Sequence, residues 1–450
     1  MDVSIKLAEL ALDLYNVNHK NNVYTATKRL FLDALACAMA GHDAPGIDII
    51  KEQIYEWGGK EEASVFFENR TLPAPNAAFI NSAVLHAVDY DDVHLSANTH
   101  VMSTVFPVAF AIGEMMNSTG VQVLNAVISG VEISCRIAKV FMKYRSNNGF
   151  LTTTITGGFG AAVTAALLMS ADVEEIVNTM GIYYAQTSGN RQALLDLSLT
   201  KRIQPAFAVK SAIWSAMLAK KGFTGANKIF KGFFGFFHLY SDGGIPEDSE
   251  FFTQSDFMEI EEIDIKRFPT CGCHHSSILA AIELSEKHML KYEEIDYFEI
   301  HMPKSGADLV GHPFVMDENP QVAAQFCAPY GVAHALLKGH VHIKDLTNEQ
   351  IRKNTQTVAL AQKAKIMVYE NNNSQIVKVK LKNGNMLISE WDEDYFVPRG
   401  EGYENIIAKF KECTEFSGLP QISHTEKIID YVKRFEELTN IADFIKEYLN

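Results

Sequence analysis

The chain has 450 residues, 47% hydrophobic and 21% charged, with a formal net charge of −15. That length exceeds the usual reach of one core and predicts two domains, each large enough to be stable without staples, while the composition excludes disorder. The acidic balance repels nucleic acid and leaves no basic tract to hold it, although a small anion can still bind in a local basic pocket.

The first stretch, MDVSIKLAELALDLYNV, has the period of an amphipathic helix and lacks the basic start and apolar block of an export signal. Six cysteines (Cys37, Cys135, Cys271, Cys273, Cys327, Cys413) lie scattered, mostly in apolar runs, as expected of reduced thiols in a cytoplasmic protein. To about residue 255 the pattern is helical, and runs such as VFPVAFAIGEMM and GAAVTAALLMSA are apolar on more than one face, which predicts the middle of a large bundle. The uncharged run from Leu151 to Ala171 holds five threonines and a Gly-Gly, so it reads as a buried helix and not as a membrane span. From about 256 to 398 strands appear (IDYFEIHM, KAKIMVYE and IVKVKLKNGNMLISEW), with a two-residue hairpin turn expected at Asn383-Gly384. Interleaved helices make this a smaller α+β domain. After Pro398-Arg399-Gly400 the chain is helical again; whether those helices rejoin the bundle is open from the pattern alone.

Chemistry concentrates in a few places. LHAVDYDDVHLSANTH (85–100) follows an apolar stripe of Phe79, Ile80, Ala83, Val84, Ala87 and Val88, a spacing that puts His86 and Asp89 on one flank of a helix. A carboxylate carried into a buried position needs a partner, so Asp89 is a candidate site residue; a solvated acidic loop is the alternative. Asp89, Asp92 and His94 converge on a metal only if the loop folds back. RFPTCGCHHSS (267–277) has cysteine and histidine at ligand-like spacing but no second pair of cysteines for a closed zinc site. Alternatively, Ser276 or Ser277 caps the next helix and sets Cys271 and His275 beside its positive end, where a carboxylate binds and a histidine's pKa falls. LTKRIQP (199–205) supplies Lys201 and Arg202, with Arg191 ten residues earlier, as surface charges or a carboxylate site. TGGFGAA (156–162) lacks the features of a nucleotide loop and is assigned to close helix packing. Tyr330, in QFCAPYGVAHA, reads as core or as a site residue.

Taken in order, NSAVLHAVDYDD with Thr99-His100, GGFGAAVTAALL, TKRIQP, KRFPTCGCHHSSI, AAQFCAPYGVAHAL and VKLKNGNML followed by PRG resemble the MmgE/PrpD family, which includes 2-methylcitrate dehydratase, cis-aconitate decarboxylase and iminodisuccinate epimerase. The resemblance implies a mainly α protein: a large helical domain from residues 1–255 and 399–450, and a smaller α+β lid from 256–398. It implies a homodimer, no metal and no organic cofactor, and a small polycarboxylate substrate. Asp89, His100, Lys201, His275 and Tyr330 fall where the family has active-site groups; Arg191, Arg202, Lys266 and Cys271 are expected around the substrate. The implied activity is a lyase reaction by acid–base catalysis on a di- or tricarboxylate, with an epimerase, or a non-catalytic binding dimer, as the alternatives. Removing Lys201 is expected to stop turnover without unfolding the protein. The sequence departs from the family at Leu151, where a histidine is usual, at Gln204-Pro205-Ala206, and at His100-Val101.

Overall fold

The computed structural model describes residues 2–145, 149–253, 257–369, 374–392 and 402–450. The first helix, Val3–Tyr15, opens on Asp2, whose carboxylate accepts the Ser4 amide at 2.9 Å, satisfying one of the donors that a helix start leaves free. The helix Gly157–Leu168 is buried along its whole length. Around it stand Met102–Met116, Gly120–Tyr144, Val173–Tyr184 and Thr200–Ala219. The glycine assignment holds: a Cβ on Gly160 would run into the carbonyl of Gly130, and one on Gly158 into the Tyr183 ring. The run 151–171 is thus bundle interior, as its composition predicts. Gly120–Tyr144 alone has the length and apolarity to cross a membrane among the described residues, and it too is mostly buried in the protein.

The second half carries a four-stranded sheet, ordered Ala364–Tyr369, Ile295–Pro303, Gln375–Leu381, Met386–Trp391, in which only the first pair is parallel. The hairpin differs from expectation. Gly384 alone in the turn has positive φ, at 94°, and its amide donates to the Leu381 carbonyl, so the chain makes a longer turn than the two-residue forms, which need positive φ at the first central residue, here Asn383, or at both. The QVAAQFCAPYGV run also breaks into Pro320–Gln325 and Ala328–Lys338, with Pro329 in the first turn of the latter, where a missing amide is tolerated. Neither serine caps the helix after CGCHH: it starts at His275, Ser276 Oγ donates to the Asp392 carbonyl at 3.0 Å, and Ser277 Oγ donates to Gln375 at 2.5 Å.

Two hydrophobic cores result. One contains residues from Val3 to Ile265, Ile343, and Ile406 to Leu449; the other contains Leu194 and residues from Phe268 to Val379. The C-terminal helix Glu404–Ser417 packs on Asn21–Gly41, so the end of the chain rejoins the bundle. The fold is mainly α with a smaller α+β part. The expected boundaries at 255/256 and 398/399, and Pro398–Gly400, lie outside the described residues.

Candidate active site

The shared flank expected for His86 and Asp89 does not form. The helix Ala74–His86 ends on His86, and Asp89 lies beyond it with φ at 52°, a left-handed conformation that aspartate tolerates better than most side chains. Two lysines meet Asp89. Lys201 Nζ donates to Oδ1, while Lys266 Nζ donates to Oδ2 at 3.0 Å and to the Asp89 carbonyl at 2.9 Å. All three are buried. Burial opposes ionisation of Asp89, but the two ammonium groups outweigh it and hold its carboxyl well below the usual range. Lys266 is in turn held above its ordinary value by Asp89 and Asp91 against the effect of burial.

The backbone around this trio is fixed from two sides. Val93 and Asp264 exchange amide–carbonyl bonds of 2.9 and 2.8 Å, which places Lys266, two residues on, against the opening stretch. Lys409, from the C-terminal helix, donates to the carbonyls of Tyr90 at 2.7 Å and Lys266 at 3.2 Å and pairs with Asp33 at 2.5 Å. One buried ammonium thereby ties both site-bearing segments to the bundle.

Beside the trio stand two histidines with rings 5.3 Å apart. His86 Nδ1 lies 2.6 Å from Asp91 Oδ2. Burial opposes the Asp91 charge, but His86 and His100 outweigh it, so Asp91 is a carboxylate and the His86 nitrogen donates. Asp92 is pushed well up by burial and by Asp91. His100 Nδ1 lies 2.6 Å from the Asp92 carbonyl; a carbonyl only accepts, so the proton of the neutral ring sits on Nδ1 and Nε2 keeps its lone pair. Burial brings the His100 pKa down to about 3 against the pull of Asp91. Its side chain is 20% exposed, against 8% or less for Lys201, Asp89 and Lys266, so His100 is the reactive group of this cluster that meets solvent.

The CGCHH turn closes over the cluster. Its anchor is the Cys271 amide, which donates to the Gln325 carbonyl at 2.9 Å. His274 is fully buried, and neither of its ring nitrogens has a hydrogen-bond partner among the described residues. Burial lowers its pKa to about 3, with the Asp89 charge opposing. His275 opens the next helix; its Nε2 donates to the Thr270 carbonyl at 3.2 Å, its ring meets Phe268 edge-on at 5.2 Å, and burial holds its pKa far down. The Cys271 thiol donates to Cys273, which raises the first and lowers the second, and the Arg191 charge lowers Cys273 further.

Asp89, His100, Lys201 and Lys266 thus come together, with Cys271 and His275 on the turn beside them. Arg202 is buried and donates to the Pro45 carbonyl at 2.7 Å, with burial bringing its pKa down to about 10. Arg191 has a buried Nε without a hydrogen-bond partner among the described residues. Gln204 holds the preceding residue, accepting the Asn190 amide and donating to its carbonyl, each at 2.9 Å. Tyr330 stands apart. Its ring lies 4.6 Å from Phe314 and 6.3 Å from His334 in the second core, and no described contact joins it to Asp89. His86, Asp91 and His274 lie in stretches that the sequence singles out but are given no firm role there, and Lys409 is missed altogether. The first two lie inside the singled-out stretch and His274 inside the CGCHH run, but Lys409 sits in an ordinary amphipathic helix that carries no signal.

Among the described residues two groups of three side chains offer ligand atoms within 4.8 Å of one another: His94, Cys135 and Glu259, and His334, His340 and Asp345. Neither includes the CGCHH cysteines. The opening loop does not gather Asp89, Asp92 and His94, because His94 Nε2 bonds Glu259 at 2.9 Å.

Comparison with known proteins gives one family. The profile of the MmgE/PrpD N-terminal domain matches residues 6–248, and that of the MmgE/PrpD C-terminal domain matches 268–435, the latter running on into helices that pack on the bundle. A cis-aconitate decarboxylase of Aspergillus terreus is 22% identical over 473 aligned residues, covering 100% of this chain and 96% of that protein. The cis-aconitate decarboxylase of Homo sapiens is 23% identical over 444 residues, 94% of this chain and 89% of that protein. A cis-aconitate decarboxylase-like protein of Aspergillus oryzae is 26% identical over 251 residues, 54% of this chain and about half of that protein, 52%.

Proposed function

Because this chain belongs to the MmgE/PrpD family, we propose that it is a lyase that breaks a bond next to a carboxylate of a small di- or tricarboxylic acid, by proton transfer and with no metal or organic cofactor. The observation that carries this reading is a pair of buried ammonium groups, Lys201 and Lys266, sharing one carboxylate beside a neutral, solvent-reaching imidazole. The names of the matched decarboxylases support the reaction class.

The chemistry follows from the charges. When a proton leaves the carbon next to a carboxylate, the electron pair moves onto that carboxylate, and positive groups fixed in a dry site stabilise it there. Lys201, Lys266 and the incompletely partnered Arg191 supply them. His100 Nε2 accepts the proton. Loss of CO2 leaves the same kind of electron pair on carbon, and the ring, once protonated, quenches it; substrate anions placed beside His100 favour that protonated form. Asp91 and the Asp92 carbonyl act as positioning groups, fixing the two imidazoles. The smaller domain carries His274 and the two cysteines over the substrate as a lid. The partner is a second copy of the chain: Phe207 and Trp214 are 49% and 52% exposed on one helix, near Trp57 at 60%, and exposed apolar patches of this kind mark contact surfaces.

The test is purified protein in deuterated water with cis-aconitate, 2-methylcitrate and aminodicarboxylates, followed by NMR, with and without a chelator. Loss of CO2 or water from one substrate, unchanged by chelation, is expected. Deuterium exchange without net conversion would make the protein an epimerase, and activity lost on chelation with no fall in the melting temperature would end the cofactor-free reading. Light scattering should give twice the chain mass.

A further inference from the structure

The geometry points to a first-row divalent-cation site of the zinc or cobalt class formed by His334, His340 and Asp345, at the seam between the two cores and separate from the Asp89 cluster. His334 and His340 flank the end of the helix Ala328–Lys338, and Asp345 lies in the short turn Ile343–Leu346. Asp345 Oδ2 is 3.4 Å from His334 Nε2 and 3.0 Å from His340 Nδ1. Ligand atoms about 2.0–2.1 Å from a tetrahedral metal stand roughly 3.3 Å from one another, so these separations already suit one ion.

A second observation points the same way. His334 is 1% exposed, and apart from the 3.4 Å approach of Nε2 to Asp345 neither ring nitrogen has a hydrogen-bond partner among the described residues. A buried imidazole without hydrogen bonds is costly, and one aimed at a carboxylate and a second imidazole is placed to hold a cation. The donor set agrees: two imidazoles and one carboxylate are the nitrogen and oxygen ligands that such an ion takes. Each ring binds through a lone pair and keeps its proton on the other nitrogen. His340 is partly exposed, which leaves a route in and a fourth position for water.

The place gives the ion a consequence. His334 sits on a helix of the second core, and the turn that carries Asp345 spans the seam, with Ile343 packed in the first core and Leu346 in the second. His342, between them, bonds Glu412 of the C-terminal helix at 3.0 Å. A cation here fixes the lid to the bundle, and it does so remote from the proposed chemistry.

The experiment is titration of the chelator-treated full-length protein with Co2+ alone, read by visible absorption and by thermal melting, in the wild type and in His340→Ala, Asp345→Asn and His288→Ala. Histidine 288 is exposed on another helix and serves as the control. One equivalent should saturate the wild type and His288→Ala, with the absorption of a four- or five-coordinate ion and a raised melting temperature. Both effects should be lost in the two site variants. Far-UV circular dichroism without metal checks their folding, and His340→Ala removes a half-exposed ring, so it keeps the test sound if Asp345→Asn fails to fold. Absence of saturable binding in the wild type, or equal binding by folded His340→Ala, would overturn the site.

Discussion

The bundle side and the lid side of the candidate site differ in how they handle buried charge. On the bundle side the charged groups are paired, Asp89 with Lys201 and Lys266, Asp91 with His86, Asp33 with Lys409, although His86 Nε2 and Asp91 Oδ1 have no hydrogen bond among the described residues. On the lid side His274 is fully buried with no hydrogen bond at either nitrogen among the described residues, and the charge acting on Cys273 comes from Arg191 of the bundle half, whose Nε is unpartnered among the described residues. On the proposed reading the paired charges would supply a fixed field that needs no rearrangement during reaction, and the unpaired groups, His274 and Arg191, would be the ones left for a substrate.

Four substitutions or titrations break or sharpen that contrast. The largest effect is expected from Lys201→Ala. The sequence alone leads to the expectation that this loss leaves the fold intact; in the structure Lys201 is one of two buried lysines on Asp89. Lys266 keeps the Asp89 charge paired, so the stability cost should stay below the roughly 3–5 kcal/mol of a fully broken buried pair, while turnover is lost, as read by chemical denaturation and activity assays. Lys201→Met combined with Asp89→Asn should recover stability and not turnover; a stable, active Lys201→Ala would remove the lysine from the site.

His100→Gln should separate the two quantities. With the base gone, turnover should fall by roughly 100- to 10,000-fold, while denaturation changes little, since the ring is partly exposed and its one side-chain bond is to a carbonyl. Equal loss of both would mean that His100 is structural.

The third effect is on pH dependence. His100 and His274 both have folded-state values near 3 against an ordinary 6.5. The unfolded chain takes up protons that the folded chain refuses, so stability is complete above about pH 6.5 and declines as the pH falls toward 3. Asp89, with its carboxyl held below its ordinary 3.8, adds a further loss below that value. His274→Gln should shift the acid-unfolding midpoint, followed by circular dichroism, to lower pH; an unmoved midpoint would show that His274 already has a partner. The smallest effect concerns Leu151, buried at the start of the turn whose Thr153 hydroxyl accepts the His100 amide at 3.1 Å. The wild type should not dehydrate 2-methylcitrate appreciably, and Leu151→His should add at most a trace, because Gln204 and Val101 remain. Family-typical rates in the wild type would mean that another group moves the proton.

Much of this protein was legible before folding. Apolar period alone marked the bundle and the strands, since burial of one or more faces is written locally, and uncommon clusters such as CGCHH and DYDDVH marked both halves of the site. What period could not give was pairing across distance. That Lys201 and Lys266 share Asp89 depends on the bridge between Val93 and Asp264 and on Lys409, more than 300 positions from Tyr90, and an ion pair between distant segments leaves no mark in either one. Tyr330 shows the same limit from the other side: its helix is readable, but which face meets the site is decided by packing against Phe314 and His334. Sequence determined where apolar period buries a face and where chemically capable side chains cluster; the tertiary structure decided which of those side chains are buried and which charges neutralise one another, because that depends on separations of a few ångströms that only the closed fold sets.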